Sequence, residues 1–312
     1  MQTIEKINQF YEQKEDDPRY HMGCSEVGHK CDRWLWLSFR HAIKQSFDGR
    51  MKRLFRTGQR WENQFVEYLR SVGADIRYTG HDQCKVNLGC HLSGSVDGII
   101  YGGLPDKPGV KMIAEFKTAN TKSFDYLENH GVCKSKFQHY IQMQLYMHAT
   151  GINNALYMVE CKNDSRLFCD VISYSKNVAE KYIARAHRIA LSNKIPERIS
   201  YDGSCFECRY CDAKTFCFQN EHCKEINCRT CAHSTPEKDS TWYCELNKTM
   251  IPNEHQLKEY PCHVWHPRLS SLIFCGGDGI RGRFVLKGNE IKNGKGAMSS
   301  REILEGVLKK WE

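Results

Sequence analysis

Two short acidic motifs in the first half of the chain combine residue types that can hydrolyse phosphodiesters. Residues 111–119 (KMIAEFKTA) alternate as a strand does, so Glu115 and Lys117 point to the same face. Upstream, Asp97 lies in the glycine-flanked segment 94–98 (GSVDG). Two neighbouring strands can aim Asp97 and Glu115 at one point, where paired carboxylates would suit Mg²⁺ or Mn²⁺.

A cation at that point would polarise a scissile phosphate and lower the pKa of a bound water. Lys117 could orient that water or offset the charge of the phosphate. Each motif alone has a second interpretation. Asp97-Gly98 fits a hairpin turn, and Glu115 with Lys117 fits the solvated side of an edge strand.

Four elements in a fixed order extend this pattern along the chain. They are Gly58-Gln59-Arg60-Trp61-Glu62, Gly94-Ser95-Val96-Asp97-Gly98, Glu115-Phe116-Lys117 and Gln142-Met143-Gln144-Leu145-Tyr146. Together they resemble the PD-(D/E)XK nuclease superfamily and, within it, the RecB-like exonuclease branch, over about residues 25 to 218. The resemblance implies a restriction-endonuclease-like α/β core, with a central mixed sheet flanked by helices.

The resemblance also implies roles for these residues. The metal ligands would be Glu62, Asp97, Glu115 and the backbone carbonyl of Phe116, although RecB relatives often carry His in place of Glu62. Gln142 and Tyr146 stand four residues apart and share a helix face, from which they would contact DNA phosphate or brace the active site. The alternative is an amphipathic helix whose tyrosine only packs.

The cysteines form two sets, since nine of the seventeen lie between Cys205 and Cys262. The first set is Cys208, Cys211 and Cys217, which leaves one ligand missing for a tetrahedral site or a cubane cluster. RecB-like nucleases and the four-cysteine CRISPR-associated exonucleases show the same split, with one early cysteine. The resemblance implies a [4Fe–4S] cluster held by Cys31, Cys208, Cys211 and Cys217. Zinc held with Cys205 is the alternative, Cys24 is a further substitute ligand, and Cys31 could be a buried apolar residue.

The second set is Cys228, Cys231, Cys244 and Cys262. Two residues between the first pair is a zinc-knuckle spacing, and the later two cysteines complete four ligands, so we predict a structural Zn²⁺ site. Reserve ligands are His233, His263 and His266. A module this small buries little core and needs a metal to fold. The combination of a RecB-like core with this four-cysteine C-terminal module resembles bacteriophage exonucleases.

The elements that must position these residues follow from periodicity. Helices are expected near residues 1–15, 31–42, 51–72, 136–149 and 176–193, with strands near 76–78, 84–88, 91–101, 111–119, 155–161 and 166–174. After Pro196 the composition changes to short cysteine-rich segments. We predict a nuclease core over residues 1–220 and a small zinc-binding module over residues 221–312.

The net charge and the apolar runs of the chain indicate which binding partners and which location to expect. The formal net charge of +8 favours a polyanion such as DNA, although it also fits general solubility. No apolar run is long enough to span a membrane, so no membrane span is expected. Residues 1–17 contain no apolar h-region, so no secretory signal is expected. The expected location is the cytoplasm, that of the bacterial host if a phage encodes the chain. A recombination or single-strand-binding protein partner is left open.

The expected activity is a divalent-metal-dependent DNA exonuclease in recombination, repair or phage DNA metabolism. A structure-specific endonuclease fits the same residues. A non-catalytic, metal-stapled DNA-binding protein is a third interpretation, but a decayed nuclease would be expected to have lost Asp97, Glu115 or Lys117.

Overall fold

The structure is a computed structural model that describes residues 2–14, 17–44, 47–219 and 221–308. The helices are α1 (Gln2–Glu12), α2 (Asp32–Phe39), α3 (Gly49–Ser71), α4 (Thr121–Ser135), α5 (Phe137–Thr150), α6 (Lys176–Ala190), α7 (Phe206–Arg209), α8 (Lys214–Phe218), α9 (Asn253–Gln256) and α10 (Ser300–Glu302). Short 3₁₀ turns span Gly80–Asp82 and Cys228–Thr230, and a π-helical turn spans Ile303–Leu308. None of the described helices has the length and apolar character needed to cross a bilayer.

The strands are β1 (Met22–Gly23), β2 (Asp75–Arg77), β3 (Cys84–Asn87), β4 (Leu92–Val96), β5 (Gly98–Tyr101), β6 (Gly103–Leu104), β7 (Lys107–Pro108), β8 (Met112–Ala119), β9 (Asn154–Cys161), β10 (Leu167–Ser173), β11 (Ser234–Pro236), β12 (Trp242–Cys244), β13 (Thr249–Met250), β14 (Ile273–Gly277), β15 (Arg281–Leu286) and β16 (Asn289–Gly294). The longest strands, β8 and β9, have eight residues each.

The chain divides into two compact units, each built from several chain segments. Unit 1 comprises Met1–Gly28, Ser46–Leu88 and Leu92–Ala186. Unit 2 comprises His29–Gln45, Gly89–His91 and His187–Glu312, so the composition change near residue 220 falls inside it. Compactness does not test independent folding, so the two domains over 1–220 and 221–312 stay a prediction.

Unit 1 contains a five-stranded sheet in the order β10-β9-β8-β5-β2. Strands β8 and β9 run parallel, whereas the other neighbours are antiparallel. This confirms the predicted central mixed sheet. The central position of β8 explains its composition, because Met112 through Phe116 are all buried.

Helix α3 covers one face of this sheet. Asp48 is the N-cap residue of α3, and its carboxylate accepts the Met51 N–H at 2.6 Å. Its C-terminal half buries Phe65, Val66 and Leu69, and the Phe65 ring stacks on Phe116 with centroids 5.0 Å apart. The predicted helix over residues 51–72 is therefore confirmed.

Helix α5 covers the face that carries Glu115. The β8–β9 register places Glu115 beside Tyr157, and the Tyr157 hydroxyl contacts His139 of α5 at 2.6 Å. Helix α5 ends at Gly151, whose φ of 66° is the left-handed conformation that favours glycine. Helix α4, which precedes α5, was not predicted from periodicity. Its apolar pattern is weak, and Gly131 interrupts the helical conformation with φ 70° and ψ 171°.

A second, three-stranded sheet of unit 1 has the order β1-β4-β3. Strand β4 ends at Val96 and strand β5 of the central sheet begins at Gly98. Asp97 is therefore the single residue at which the chain passes from one sheet to the other. The hairpin-turn interpretation of Asp97-Gly98 is wrong, because β4 and β5 do not pair with each other.

Unit 2 is built from short elements around buried polar side chains. Two three-stranded sheets have the orders β11-β12-β13 and β14-β15-β16. Arg229 is almost wholly buried and donates to the Phe39 carbonyl at 2.8 Å and to Gln256 at 2.7 Å. Arg40 is also buried and donates to the Arg229 carbonyl at 3.1 Å. These bonds join α2 to the cysteine-rich turn that begins at Cys228.

Candidate active site

Asp97 is aimed at the central strand by the bend between the two sheets. In the antiparallel register Gly98 lies opposite Ala114, so Asp97 is the next residue toward Glu115. Its Oδ2 atom accepts the backbone N–H of Phe116 at 2.8 Å. The bond fixes the carboxylate beside the Glu115–Lys117 segment, as the sequence analysis expected.

Glu115 and Lys117 lie on one face of β8 and form an ion pair. The Glu115 side chain is 0% exposed, whereas that of Lys117 is 30% exposed. Within the described part of the chain, the Oε2 atom of Glu115 is buried and has no hydrogen-bond partner. The edge-strand interpretation of this pair is therefore wrong. Lys117 also donates to the Phe116 carbonyl at 3.1 Å, the carbonyl predicted to bind the metal.

Glu62 approaches the same site from α3. Gln83, which immediately precedes β3, connects it to Asp97 through one side-chain amide. The amide nitrogen lies 3.3 Å from Glu62 Oε2 and 3.5 Å from Asp97 Oδ1. The amide N–H group of Gln83 therefore donates to both carboxyl groups. The sequence contains no pattern that marks Gln83, so it was missed.

The electrostatics follow from three carboxyl groups around one ammonium. Burial raises the pKa of Glu115 to about 8, with Lys117 opposing the change and Asp97 adding to it. Burial, and then the charge of Asp97, raises the pKa of Glu62 to about 6. Burial also raises the pKa of Asp97. Burial lowers the pKa of Lys117, but Glu115 and Asp97 outweigh it and the net shift is upward. When all four groups are ionised, the site carries two excess negative charges.

Gln142 and Tyr146 lie at the start and end of one turn of α5, and both are buried. The Gln142 amide donates to the Tyr146 hydroxyl at 3.2 Å, and its Oε1 atom has no partner among the described residues. The Tyr146 ring packs on Gly94, where an added Cβ would stand 2.8 Å from the hydroxyl. Gly94 is therefore required for this close approach. Burial, and then the charge of Glu115, raises the pKa of Tyr146.

His139 and Tyr157 complete this face of the site. His139 lies three residues before Gln142 on α5, and no function was predicted for His139 or for Tyr157. Burial lowers the pKa of His139 to about 3, with Lys117 adding to the effect, so the ring is neutral at physiological pH. Burial, and then the charge of Glu115, raises the pKa of Tyr157. Tyr157 could have been recognised as a site residue only from the parallel register of β8 and β9, which places it beside Glu115.

The first cysteine set gathers around one cavity of unit 2. Cys31, Cys208, Cys211 and Cys217 all line it, whereas Cys205 and Cys24 do not. Cys31 is the N-cap residue of α2, and its sulfur accepts the Trp34 N–H at 3.4 Å. The sulfur of Cys205 nevertheless interacts with that of Cys208, so Cys205 lies next to this set.

The second set lines another cavity of unit 2, which Cys228, Cys231, Cys244 and Cys262 share with His233 and His263. Two of the sulfurs accept backbone hydrogen bonds. The Val264 N–H lies 3.5 Å from the Cys231 sulfur, and the Asn247 N–H lies 3.4 Å from the Cys244 sulfur. Burial raises the pKa of Cys231 to about 11, and the Val264 N–H opposes this rise.

At none of these places do three His, Cys, Asp or Glu side chains stand close enough to hold an ion, within the residues the structure describes. The residue types at these places nevertheless suit metal ions, since the Glu115 oxygen is a buried acceptor without a partner among the described residues and thiolates suit zinc or iron–sulfur clusters.

No protein-family model matches the chain, and no curated protein matches it significantly. Among solved structures, the chain is similar to the alkaline exonuclease LHK-Exo from Laribacter hongkongensis, with 15% identity, 59% of this chain and 90% of that chain covered, and a TM-score of 0.37. The LHK-Exo complex with dAMP gives 16% identity, 55% and 86% coverage, and a TM-score of 0.41. A phage related exonuclease from Haemophilus somnus 129PT gives 14% identity, 59% and 96% coverage, and a TM-score of 0.35. These values describe a distant likeness.

Proposed function

We propose that the chain is a divalent-metal-dependent deoxyribonuclease that hydrolyses phosphodiester bonds at the ends of linear DNA. The observation that carries this proposal is the excess of carboxylate in a buried site. Glu62, Asp97 and Glu115 share the single ammonium of Lys117, and one oxygen of Glu115 is buried without a partner. A divalent cation would satisfy both the charge and the orphaned oxygen.

The cation would be Mg²⁺ or Mn²⁺, because all the donors are oxygens. Asp97, Glu115 and the carbonyl of Phe116 would hold it, with Glu62 adding a carboxylate from α3. When bound, the cation supplies Lewis acidity toward a phosphodiester oxygen and lowers the pKa of bound water.

The remaining residues orient the reactants. Lys117 lies beside Glu115, partly exposed, where its ammonium can meet the phosphate or the attacking water. The unpartnered Gln142 oxygen and the Tyr146 hydroxyl offer an acceptor and a donor on the same side of the sheet. Gly94 keeps the tyrosine in place. Action at DNA ends is what the resemblance to the RecB-like exonuclease branch implies, and a structure-specific endonuclease built on the same residues is the alternative.

The test is a digest of linear and covalently closed circular DNA by the purified full chain with Mg²⁺ or Mn²⁺. We expect linear DNA to be degraded and circular DNA to survive. Asp97→Asn, which preserves size, should abolish hydrolysis while circular dichroism stays unchanged. Cleavage of the circle would indicate an endonuclease, and inactivity on single- and double-stranded DNA with both metals would contradict the proposal.

We further propose a [4Fe–4S] cluster held by Cys31, Cys208, Cys211 and Cys217. All four line one cavity, and Arg33 opposes the rise in the pKa of Cys217 that burial causes. Because the cluster would join residues far apart in sequence, it would restrict the unfolded chain as a crosslink does. Anaerobic purification should give a brown protein that contains iron and sulfide. Zinc alone, at two ions per chain, would contradict this assignment.

The second cysteine set is proposed as a structural Zn²⁺ site of Cys228, Cys231, Cys244 and Cys262. Support comes from the shared cavity and from the two N–H donors directed at sulfur. Zinc would stabilise a region whose elements are only a few residues long. One zinc per chain should remain in protein that also contains the iron–sulfur cluster, and its absence would contradict the site.

A further inference from the structure

The N-terminal half of α3 is the least covered part of this long helix. Helix α3 is buried at Gly49 and again from Phe65 onward, and residues 50–64 between them are half-buried or exposed. Leu54 and Phe55 are 38% and 45% exposed although both are apolar. This stretch leads along one helix directly to Glu62 of the candidate active site.

The same stretch is strongly basic. Residues 50–60 contain five Arg and Lys residues and no Asp or Glu, namely Arg50, Lys52, Arg53, Arg56 and Arg60. We call residues 50–60 the basic segment. With residues 2–14 and 47–49 added, seven basic residues face three acidic ones, so these 27 residues carry half of the chain's net charge of +8. Such a concentration of charge attracts a polyanion.

Helix α1 holds part of this charge in place. Arg53 donates to the Asn8 side chain, and the guanidinium groups of Arg53 and Arg56 lie 5.9 Å and 5.5 Å from the centre of the Tyr11 ring. Arg56 and Arg60 are both exposed and stand four residues apart, so they share one face of the helix. Their charged groups are available to phosphates at neighbouring positions.

An aromatic side chain lies on the face of the helix that leads to the site. Phe55 and Glu62 are seven residues apart, which places them on one face about 10 Å apart along the axis. Phe55 meets Phe47 edge-on with ring centroids 4.9 Å apart. Between Phe55 and Glu62, an added Cβ at Gly58 would have no neighbour within 4 Å among the described residues, so the helix surface at Gly58 is open.

We propose that the basic segment binds a single-stranded end of DNA and directs it to the candidate active site. Phosphates bind Arg56 and Arg60, and a base stacks on the exposed face of Phe55. Exposed aromatics beside a basic groove are the pattern that binds unpaired strands, because stacking needs a base free of its partner. This inference rests on the proposed nuclease function and adds the entry path and strandedness of its substrate.

The test measures DNA binding without added divalent cation, so that hydrolysis of the DNA does not affect the measured affinity. The probes are a fluorescein-labelled 30-nucleotide single strand and the matching duplex, followed by anisotropy in the full chain. We expect Arg56→Ala/Arg60→Ala to weaken single-strand binding roughly tenfold and to reduce the slope of log affinity against log salt by about 1.4. Arg56→Lys/Arg60→Lys should restore most of the affinity.

The matched control is Lys122→Ala/Lys134→Ala, which removes the same charge from two exposed positions on α4 of the same unit. It should leave affinity within about twofold of the wild type. Phe55→Ala should weaken binding of the single strand more than that of the duplex, and Phe55→Tyr should preserve it. Equal losses in the control pair, or an unchanged salt slope in the arginine pair, would overturn the proposal.

Three other results are informative. A duplex preference that Phe55→Ala leaves unchanged would overturn the single-strand assignment. Light scattering that shows a dimer dispersed by Leu54→Ser would assign the exposed apolar residues to a second copy of the chain and overturn the proposal. Normal binding with no hydrolysis in Mn²⁺ would contradict the proposed function but not this surface.

Discussion

Replacing Glu115 with Gln should change how the stability of the metal-free protein depends on pH. Glu115 is wholly buried, and burial raises its pKa from 4.5 to about 8. Between these values the folded chain binds a proton that the unfolded chain has released, so stability falls as pH rises. Glutamine has nearly the same volume and does not titrate, so this part of the pH dependence should vanish in Glu115→Gln.

The size of the effect follows from the shift. Each pKa unit corresponds to about 1.4 kcal/mol, so raising the pH from 5 to 7 should cost the wild type roughly 2.5 kcal/mol through this carboxyl. The contribution levels off above the folded-state pKa of about 8. Near pH 5 both proteins carry an uncharged side chain at this position and should have similar stability.

The assay is urea unfolding at pH 5, 6, 7 and 8 without added divalent cation, followed by fluorescence. We expect the free energy of unfolding of the wild type to fall relative to Glu115→Gln as pH rises, and Mn²⁺ at pH 8 to restore it in the wild type alone. Parallel pH profiles for the two proteins would refute the reasoning, since Glu115 would then titrate as an exposed carboxyl does.

Three further predictions concern neighbouring residues. Gly94→Ala should place a methyl group against the Tyr146 hydroxyl, cost about 1–3 kcal/mol in thermal unfolding and reduce nuclease activity at least tenfold. Gln83→Glu adds a fourth carboxylate beside Glu62 and Asp97, so Mn²⁺ should raise the Tm of this variant more than that of the wild type in calorimetry. Cys228→Ser should lower the zinc content by one ion per chain and increase proteolysis of unit 2, as metal analysis and limited trypsin digestion would measure.

The sequence was informative where local periodicity and residue chemistry coincide. Alternation over residues 111–119 predicted that Glu115 and Lys117 share a face, and in strand β8 they do. Spacing alone also placed Gln142 and Tyr146 on one turn of α5, where they form a hydrogen bond.

The parts that could not be predicted depend on contacts between distant segments. The bend at Asp97 joins two sheets, and a glycine-flanked aspartate has the same sequence signature as a hairpin turn. Gln83 matters because of two carboxylates that lie 21 and 14 residues away. Helix α4 lacks a strong apolar stripe, so periodicity gave no signal. Unit 2 takes residues from three chain segments, which no composition change in the linear sequence could mark.

The most direct test of the account is the binding of Mn²⁺ to the purified full chain, measured by electron paramagnetic resonance of the free ion. The account predicts that the wild type binds Mn²⁺ at pH 8 and that Asp97→Asn and Glu115→Gln each lose this binding while remaining folded. Equal Mn²⁺ binding by all three proteins would contradict it, because these two carboxylates would then not form the metal site.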